Sequence, residues 1–332
     1  MEALVVGDIH AKTSNLAETK RLLLWIAGLH PDLPIIFLGD QLDTFGVARV
    51  EVVALWRQAI EHLLLERSGE IYFIVGNHDM NHAGTHNFID LFQVSPRIHV
   101  IDRPTVLNDS LFMPFVRDNE LFLQHVNKCT QKTVFCHQEF DGAQFENGFY
   151  APHGVNIEDI TTSAWIVSGH IHERQNLGDK VFYPGTPRGL TKSDANKGKG
   201  VHLINSDTRS VEFIPTPEVV AKPFRLINVD NTTDLASFKV SLKDPERLYV
   251  HITGTAEFIK KILRIKDIKK AKITTEYTDE AVSNGAIKES EGIDKAFNKY
   301  AISYFDKNDL GAIEIKALWQ LVSKYCPSLT TK

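Results

Sequence analysis

The sequence predicts an α/β fold in which two β-sheets pack face to face and are flanked by helices, followed by a small α+β domain and a C-terminal helical pair. The first observation behind this prediction is a set of five short apolar strands that each end in polar residues. The second is the alternation of the first three strands with helical patterns, which indicates a parallel sheet with right-handed crossovers. The third is a run of closely spaced strands between residues 180 and 214, which favours a second, more antiparallel part of the sandwich.

The first half of the chain alternates between strand and helix. Residues 1–7 predict a strand, and Asn15 is a candidate N-cap for a helix whose apolar stripe includes Leu22 and Ile26. A strand is predicted at 35–38, a long helix over roughly 47–66, and a buried strand from residue 71. That strand ends at Gly76, which is expected to let the backbone turn sharply. A short helix at 119–128 and strands at 133–136 and 165–167 follow.

The C-terminal part of the chain is predicted to form smaller, separate units. A boundary is expected in the Pro-rich stretch 215–223, after which the pattern is strand-helix-strand-helix-strand to residue 276. We therefore expect a domain at 1–218, a small domain at 219–277, a flexible linker at 278–292 and a helical segment at 293–326. The two short amphipathic helices of the last segment either pack on each other or on the body, or they dock on a partner.

Composition narrows the class of protein. A hydrophobic content of 43% and a charged content of 24% are ordinary for a globular protein. No apolar run approaches the ~18–20 residues that a membrane-spanning helix needs, and no signal peptide is apparent. The three cysteines form no CxxC pair, so neither a disulfide framework nor a Cys-type zinc site is indicated, and a cytoplasmic location is expected. The net charge of −5 neither indicates nor excludes nucleic-acid binding.

Asp, Asn and His residues follow each of the five predicted strands. A lone histidine after a strand is more often a hydrogen-bonded core or loop residue than a ligand, but five such strand ends are hard to attribute to chance. Because the strand ends of an α/β fold carry its function, we expect these side chains to converge. The seven candidate metal ligands are Asp8, His10, Asp40, Asn77, His137, His170 and His172.

The residue types predict the chemistry of the site. Asp, Asn and His suit manganese, iron, zinc or magnesium. Seven ligands are too many for one ion that keeps an open position, and they suit two ions about 3.5–4 Å apart that share a carboxylate, for which Asp40 is the natural bridge. Two such ions would hold a phosphate diester and lower the pKa of a bridging water. His78 is then available to stabilise the transition state and protonate the leaving oxygen, while Asp43 is close enough in sequence to orient the His78 ring. Asp79 is expected to brace the turn.

The segment 184–200 is rich in glycine and basic residues and follows the last histidines closely. Most of its lysines are expected to belong to a solvated surface loop. Arg188 is the best candidate for a contact with a DNA phosphate near the metals.

Taken together, the motifs resemble the calcineurin-like metallophosphoesterase superfamily. They are GDIH at 7–10, GDQLD at 39–43, GNHD at 76–79, His137, and GHIH at 169–172. The Ser/Thr phosphatases of that superfamily carry Arg after the GDxxD unit and a GNHE motif, whereas this chain has Thr44 and GNHD. The paired GHIH, the small second domain and the helical tail look instead like the SbcD family of DNA-repair nucleases. The size and the PGTPRGLT segment are most similar to phage recombination endonuclease catalytic subunits.

The resemblance implies a role for each candidate residue. One metal would be held by Asp8, His10, Asp40 and His172, and the other by Asp40, Asn77, His137 and His170. His78 would be the catalytic histidine, activated by Asp43, and manganese is the usual metal. Some family members carry a histidine where this chain has Asp43, so a bracing carboxylate is expected here instead of a second phosphate-binding imidazole.

The resemblance also implies a function. It is that of a manganese-dependent DNA nuclease, an exonuclease on duplex ends and an endonuclease on single-stranded or hairpin DNA, working with an SbcC-type ATPase in DNA recombination, repair and replication. Residues 219–277 resemble the DNA-capping module and 293–326 the helices that dock on the ATPase coiled coil. A homodimer in the cytoplasm of a bacterial or phage-infected cell is expected, with no membrane contact. A stand-alone phosphodiesterase or phosphatase on a small phosphoester, and a scaffold that has lost its chemistry, remain alternatives.

Overall fold

The computed structural model describes residues 1–45 and 47–278, which form two compact units. The first unit comprises Met1–Leu226 and Arg247–Tyr249, and the second comprises Ile227–Glu246 with the described residues from Val250 onward. All but the first residue of the predicted linker at 278–292, and the whole helical segment at 293–326, lie outside the described residues. The predicted boundaries at 218 and 277 stay predictions.

The described part of the first unit contains two mixed sheets of six strands, with helices on their outer faces. Its strands are β1 (Glu2–Val6), β2 (Ile35–Phe37), β3 (Ile71–Ile74), β4 (Ile98–Ile101), β5 (Thr105–Leu107), β6 (Ser110–Met113), β7 (Thr133–His137), β8 (Trp165–Gly169), β9 (Gln175–Leu177), β10 (Val181–Tyr183), β11 (Gly200–Asn205) and β12 (Ser210–Pro215). Its helices are α1 (Leu16–Ala27), α2 (Val50–Glu66) and α3 (Asn119–Asn127).

Each sheet has a parallel centre; the first is antiparallel at one edge and the second at both edges. The first has the order β12-β11-β1-β2-β3-β4, with β1 to β4 parallel, and the second has the order β5-β6-β7-β8-β10-β9, with β6, β7, β8 and β10 parallel. The register pairs Leu4 with Ile35 in the first sheet and His137 with Gly169 in the second. The parallel strands therefore carry their carboxyl ends to one edge of the sandwich, and the predicted α/β two-sheet fold is confirmed.

The side-chain alternation of the strands builds three packed layers. In β1, Ala3 and Val5 face the second sheet, where they join residues such as Phe135 in a core between the sheets. Leu4 and Val6 face outward and pack against the apolar stripes of α1 and α2. Because both faces of the central strands are buried, these strands are continuously apolar, as is usual for parallel sheets. A third cluster covers the outer face of the second sheet under α3.

The described part of the second unit is a small α+β body with a three-stranded sheet, whose first two strands each begin with two residues of the first unit. Its elements are β13 (Arg225–Val229), α4 (Leu235–Ser241), β14 (Leu248–Gly254), α5 (Ala256–Leu263) and β15 (Lys272–Tyr277), and the strands lie in the order β13-β14-β15. This is the strand-helix alternation predicted for the region. Ile252, Ile259 and Ile262 are among its buried residues. Within the described ranges, no helix combines the length and apolar character needed to cross a bilayer.

Candidate active site

The structure brings all seven predicted ligand residues together at the carboxyl edge of the two sheets. Asp8 and His10 follow β1, Asp40 follows β2 and Asn77 follows β3, whereas the other three histidines end or follow β7 and β8. The two sheets therefore contribute opposite walls of one cluster, which is where their parallel strands end. Three overlapping groups within it have the spacing of metal ligands: Asp8, His10, His172; His10, Asp40, His78; and Asp40, His137, His170.

One half of the cluster, which we call the His10 site, consists of Asp8, His10, Asp40 and His172. The Nε2 atoms of His10 and His172 lie 3.0 Å apart. Asp8 Oδ2 lies 3.9 Å from the first of these nitrogens and 3.8 Å from the second. Asp8, His10 and His172, which come from two sheets, thus direct their donor atoms at one point.

The other half, the His137 site, consists of Asp40, Asn77, His137 and His170. Asn77 Oδ1 lies 2.9 Å from His137 Nε2 and 3.0 Å from His170 Nδ1, and these two nitrogens are 3.3 Å apart. Adjacent ligands of an octahedral ion with bonds near 2.1 Å lie about 3 Å apart. The spacing in both sites therefore fits a divalent cation.

Asp40 belongs to both sites through one oxygen. Its Oδ2 lies 3.7 Å from His10 Nε2 and 3.4 Å from His137 Nε2. The second oxygen, Oδ1, accepts a hydrogen bond of 2.8 Å from the backbone N–H of His78, which fixes the orientation of the carboxylate. A shared carboxylate at this place is the arrangement that a two-ion site requires.

Groups behind the imidazoles set which ring nitrogen faces the cluster. His137 Nδ1 lies 2.8 Å from the Leu38 carbonyl oxygen, so this nitrogen carries the proton and Nε2 is left for a metal. His170 Nε2 lies 3.3 Å from Glu139 and His172 Nδ1 lies 3.7 Å from Glu146. Neither glutamate was identified from the sequence, because both sit in a loop after β7 with no recognisable motif.

The buried carboxylates and imidazoles of the cluster shift one another's pKa values. Burial would raise the pKa of the Asp40 carboxyl, but His137, His10 and His78 around it bring that pKa well below its usual range. Burial would lower the pKa of His137, but Asp40 and Asp8 outweigh it and raise the pKa to about 9. Burial lowers the pKa of His10 and raises that of Asp8. Divalent cations would take over the compensation of the buried carboxylates and displace the proton held by the His137 ring.

Three of the candidate ligands have a left-handed backbone. The φ angles are +46° at His10, +51° at Asp40 and +83° at His170. Such conformations are rare for residues other than glycine, cost about 1 kcal/mol or more each, and cluster at functional sites. The first two are tied to each other, because the amides of Ile9 and His10 both donate to the Asp40 carbonyl oxygen.

Gly76 is needed for space beside Asp40. A Cβ at this position would lie 2.2 Å from Asp40 Oδ1 and 2.3 Å from its amide nitrogen, which no substitution can accommodate without a shift. The φ angle of Gly76 is not positive, so its backbone conformation does not require glycine. The close approach of Asp40 explains the glycine instead of the sharp turn expected from the sequence. Asp79 braces this turn as predicted, with its carboxylate accepting from the amides of Leu42 and Gly76.

His78 lies at the edge of the cluster, with 25% of its side chain exposed and its Nε2 3.9 Å from Asp40 Oδ2. Its Nδ1 lies 2.9 Å from the backbone carbonyl oxygen of Asp43, so the predicted orientation of His78 by Asp43 is made by the main chain and not by the carboxylate. That carboxylate instead accepts two hydrogen bonds of 3.1 Å from Lys12. Phe45, which the sequence did not single out, stacks on the His78 ring at 4.1 Å.

The DNA contact predicted for Arg188 is wrong. Arg188 is only 2% exposed, and its guanidinium donates to Glu18 at 2.9 Å and to the Ile9 carbonyl oxygen at 2.9 Å. A cation that is enclosed and already paired with a carboxylate has no face left for a phosphate. The sequence shows that the segment 184–200 is basic, whereas the burial of Arg188 is visible only in the tertiary structure.

The fold and the donor set together indicate a metal-dependent hydrolase of the two-sheet α/β type. The profile of the Calcineurin-like phosphoesterase family matches residues 1–174, which is more than half of the chain. The chain therefore belongs to the calcineurin-like phosphoesterase family, and the enzyme class predicted from the sequence, a metal-dependent phosphodiester hydrolase, is confirmed.

Several curated proteins are similar to the chain. Exonuclease subunit 1 of Enterobacteria phage T4 is 29% identical over 181 residues, 48% of this chain and 52% of that protein. A protein of invertebrate iridescent virus 6 with the provisional name phosphoesterase 244L is 24% identical over 282 residues, 77% of this chain and 95% of its own length. The SbcD component of the nuclease SbcCD of Staphylococcus epidermidis is 21% identical over 276 residues, 72% of each chain. The chain thus spans about half the length of the phage T4 relative.

Proposed function

We propose that the chain is a DNA nuclease that cleaves phosphodiester bonds with two divalent ions, most suitably manganese. The observation that carries the proposal is the pair of four-ligand sites sharing Asp40, with His78 beside them. Asp, Asn and His without thiolates suit manganese or another hard to borderline ion. Two relatives that are named as an exonuclease subunit and a nuclease subunit support a nucleic acid as the substrate.

The side chains of the cluster divide the work of hydrolysis. Ions held by these residues would supply Lewis acidity and lower the pKa of an attacking water. His78 stands outside the two ligand sets with its Nδ1 directed at the Asp43 carbonyl, so Nε2 is the atom that meets the substrate. We assign His78 to binding a phosphate oxygen and, when its ring is protonated, to giving a proton to the leaving oxygen. Asp43 keeps His78 in place through its main chain.

The remaining parts of the proposal concern partners. We propose that residues 293–326 dock on an SbcC-type ATPase and that residues 219–277 act as a DNA-capping domain, in recombination, repair or replication. The name of the Staphylococcus epidermidis relative, which is one component of a two-component nuclease, supports a partner. A homodimer is supported by an apolar groove between α2 and the segment 88–94, where Leu91 and Val94 are each 65% exposed. Sedimentation equilibrium tests the dimer.

The decisive experiment measures cleavage of end-labelled linear duplex DNA by the purified chain with Mn²⁺. His78→Ala should lower the rate by about 10²- to 10⁴-fold, the usual contribution of a general acid or base, and should leave Mn²⁺ binding unchanged. His62→Ala is the matched control, because His62 is a half-exposed histidine on α2 near Glu66. Loss of both ions in His78→Ala would refute its role outside the ligand sets.

The alternative function is a stand-alone phosphodiesterase on a small phosphoester. The same preparation should then hydrolyse bis(p-nitrophenyl) phosphate in a His78-dependent manner and leave DNA intact. If DNA remains intact, the candidate ATPase is added with ATP. Cleavage that appears only then supports the nuclease with an obligatory partner, and continued inactivity on DNA supports the small-substrate enzyme.

A further inference from the structure

Two cations of the segment 187–199, which we call the anchor segment, are turned toward the metal-ligand loops. Arg188 is 2% exposed, and the side chain of Lys199 is 10% exposed. Both were grouped with the solvated or DNA-facing basic residues on sequence grounds. Their burial requires another explanation, because a charged side chain is rarely buried unless it is paired and hydrogen-bonded.

Arg188 holds the loop that carries His10. Its Nη2 donates to the Ile9 carbonyl oxygen at 2.9 Å and lies 3.4 Å from the His10 carbonyl oxygen, while its Nη1 donates to Glu18 at 2.9 Å. His10 is one of the left-handed residues, so its backbone needs support from outside the loop. Asn15 adds to this support, with its side-chain amide donating to the His10 carbonyl oxygen at 2.9 Å.

Lys199 holds the loop that carries His172. Its Nζ donates to the His172 carbonyl oxygen at 2.8 Å and pairs with Asp194 at 2.6 Å. The other oxygen of Asp194 accepts from the amides of Leu190 and Thr191, so the carboxylate that holds Lys199 is itself fixed within the anchor segment. The His172 carbonyl therefore has a charged donor whose position is determined by its own segment.

The two anchored carbonyls belong to ligands of the same site. His10 and His172 both contribute their Nε2 atoms to the His10 site, where these atoms lie 3.0 Å apart. The His137 site is supported in a different way. His137 is oriented by the Leu38 carbonyl, and the amide of His170 lies 3.2 Å from both carboxylate oxygens of Asp8. The anchor segment is thus linked to one half of the cluster.

We propose that Arg188 and Lys199 are positioning residues for the His10 site, which hold the backbones of His10 and His172 so that their imidazoles converge on one ion. Stability alone is a poor reason for such an arrangement, since a buried ion pair is often no more stable than apolar residues of similar volume. Groups that orient metal ligands typically change metal affinity by about 10- to 100-fold when they are removed. The proposal rests on the two-ion function proposed above.

The test is a titration of the metal-free protein with Mn²⁺. Binding is measured by calorimetry and by the electron paramagnetic resonance of the bound ion. Arg188→Met and Lys199→Met should each weaken one of two binding events by about 10- to 100-fold and leave the other within twofold. In an Asn77→Ala background, which damages the His137 site, the remaining event should weaken by the same factor. Arg188→Lys should recover part of the Mn²⁺ affinity, because lysine keeps the positive charge but lacks the planar guanidinium that donates to two acceptors at once.

Arg67→Met is the matched control. Arg67 is also 2% exposed, and its guanidinium donates to backbone carbonyls of the stretch 26–33, including Leu29 at 2.6 Å, without touching a metal ligand. It should lower the melting temperature without changing either Mn²⁺ affinity. If Arg188→Met does not fold, Lys199→Met carries the test alone.

The different failures are distinguishable. Equal weakening of both events, or no weakening, would overturn the positioning role and leave the proposed function standing. Weaker binding of a duplex oligonucleotide in EDTA by Arg188→Met, with unchanged Mn²⁺ affinity, would restore the DNA contact of Arg188 and overturn the inference. Wild-type protein that binds no pair of Mn²⁺ ions would overturn the two-ion function and this inference with it.

Discussion

Substitution of Asp40 by Asn tests the sharing of one carboxylate between the two sites. Asp40 Oδ2 lies 3.7 Å from His10 Nε2 and 3.4 Å from His137 Nε2, so the change affects both sites. Asn keeps the side-chain shape, can retain the hydrogen bond from the His78 amide, and tolerates the left-handed backbone at φ +51°. The substitution therefore removes a charge and a bridging ligand with little other disturbance.

The magnitude follows from linkage between binding and folding. An ion present at 100 times its dissociation constant stabilises the folded state by about 2.7 kcal/mol, and two independent ions by about 5 kcal/mol. For a unit of this size, 1 kcal/mol shifts the melting temperature by roughly 2–4 °C, so each ion should add about 5–11 °C. Asp40→Asn should lose most of the increment from both ions.

The assay is a thermal unfolding series of the first unit's transition with increasing Mn²⁺. Asn77→Ala is the matched comparison, because Asn77 Oδ1 lies against His137 and His170 of the His137 site, and its loss should remove the increment of one ion. An Asp40→Asn protein that loses no more of the Mn²⁺-induced shift than Asn77→Ala would refute the shared carboxylate.

The other two predictions concern Gly39 and His202. A Cβ on Gly39, at φ +113°, would lie 2.2 Å from His137 Nδ1, so Gly39→Ala should displace that ring and abolish one Mn²⁺ binding event. Gly142→Ala, at φ +80° with nothing within 4 Å of its Cβ, should cost only about 1 kcal/mol of strain, and equal effects of the two on Mn²⁺ affinity in calorimetry would contradict the steric argument. Burial, assisted by Arg174, lowers the pKa of His202 to about 3 from the 6.5 of an unperturbed histidine. The neutral ring therefore contributes stability that is fully present above pH 6.5 and is lost as the pH falls toward 3, by up to about 4–5 kcal/mol at 1.36 kcal/mol per pKa unit. His202→Leu should make urea-unfolding free energies fall less steeply between pH 6.5 and 4, and parallel curves would count against this reasoning.

The candidate active site contains several features that each lower the stability of the folded state. Buried carboxylates, clustered imidazoles and three left-handed residues all occur at the carboxyl edge of the two sheets. The apolar layers on both sides of each sheet supply the stability that keeps this arrangement together. The candidate site is assembled from the ends of β1, β2, β3, β7 and β8, and every one of these strands is hydrogen-bonded in a sheet, which favours precise placement of the side chains.

The two-sheet fold class could be predicted from the sequence, and so could the convergence of the seven candidate ligands and His78 at one edge of the sheets. This was possible because strand-forming apolar runs are local, because polar residues at their ends are visible as motifs, and because parallel strands must bring those ends to a common edge. The bridging role of Asp40, predicted from its position in the middle of the ligand set, stays a prediction; its Oδ2 lies 3.7 Å from His10 Nε2 and 3.4 Å from His137 Nε2.

The contacts of the charged residues around the candidate ligands could not be predicted from the sequence. Arg188 is a surface cation on sequence grounds and a buried one in the structure, because its burial depends on Glu18 and on the Ile9 carbonyl, which lie about 170 residues away in the chain. Asp43 reaches His78 through a main-chain oxygen, which residue type does not predict. Glu139 and Glu146 lie beside the candidate ligands His170 and His172 because of the path of the loop after β7, which no sequence motif marks. The local pattern of a sequence determines which groups can bind a metal, whereas the groups that orient them are brought in from distant segments by packing.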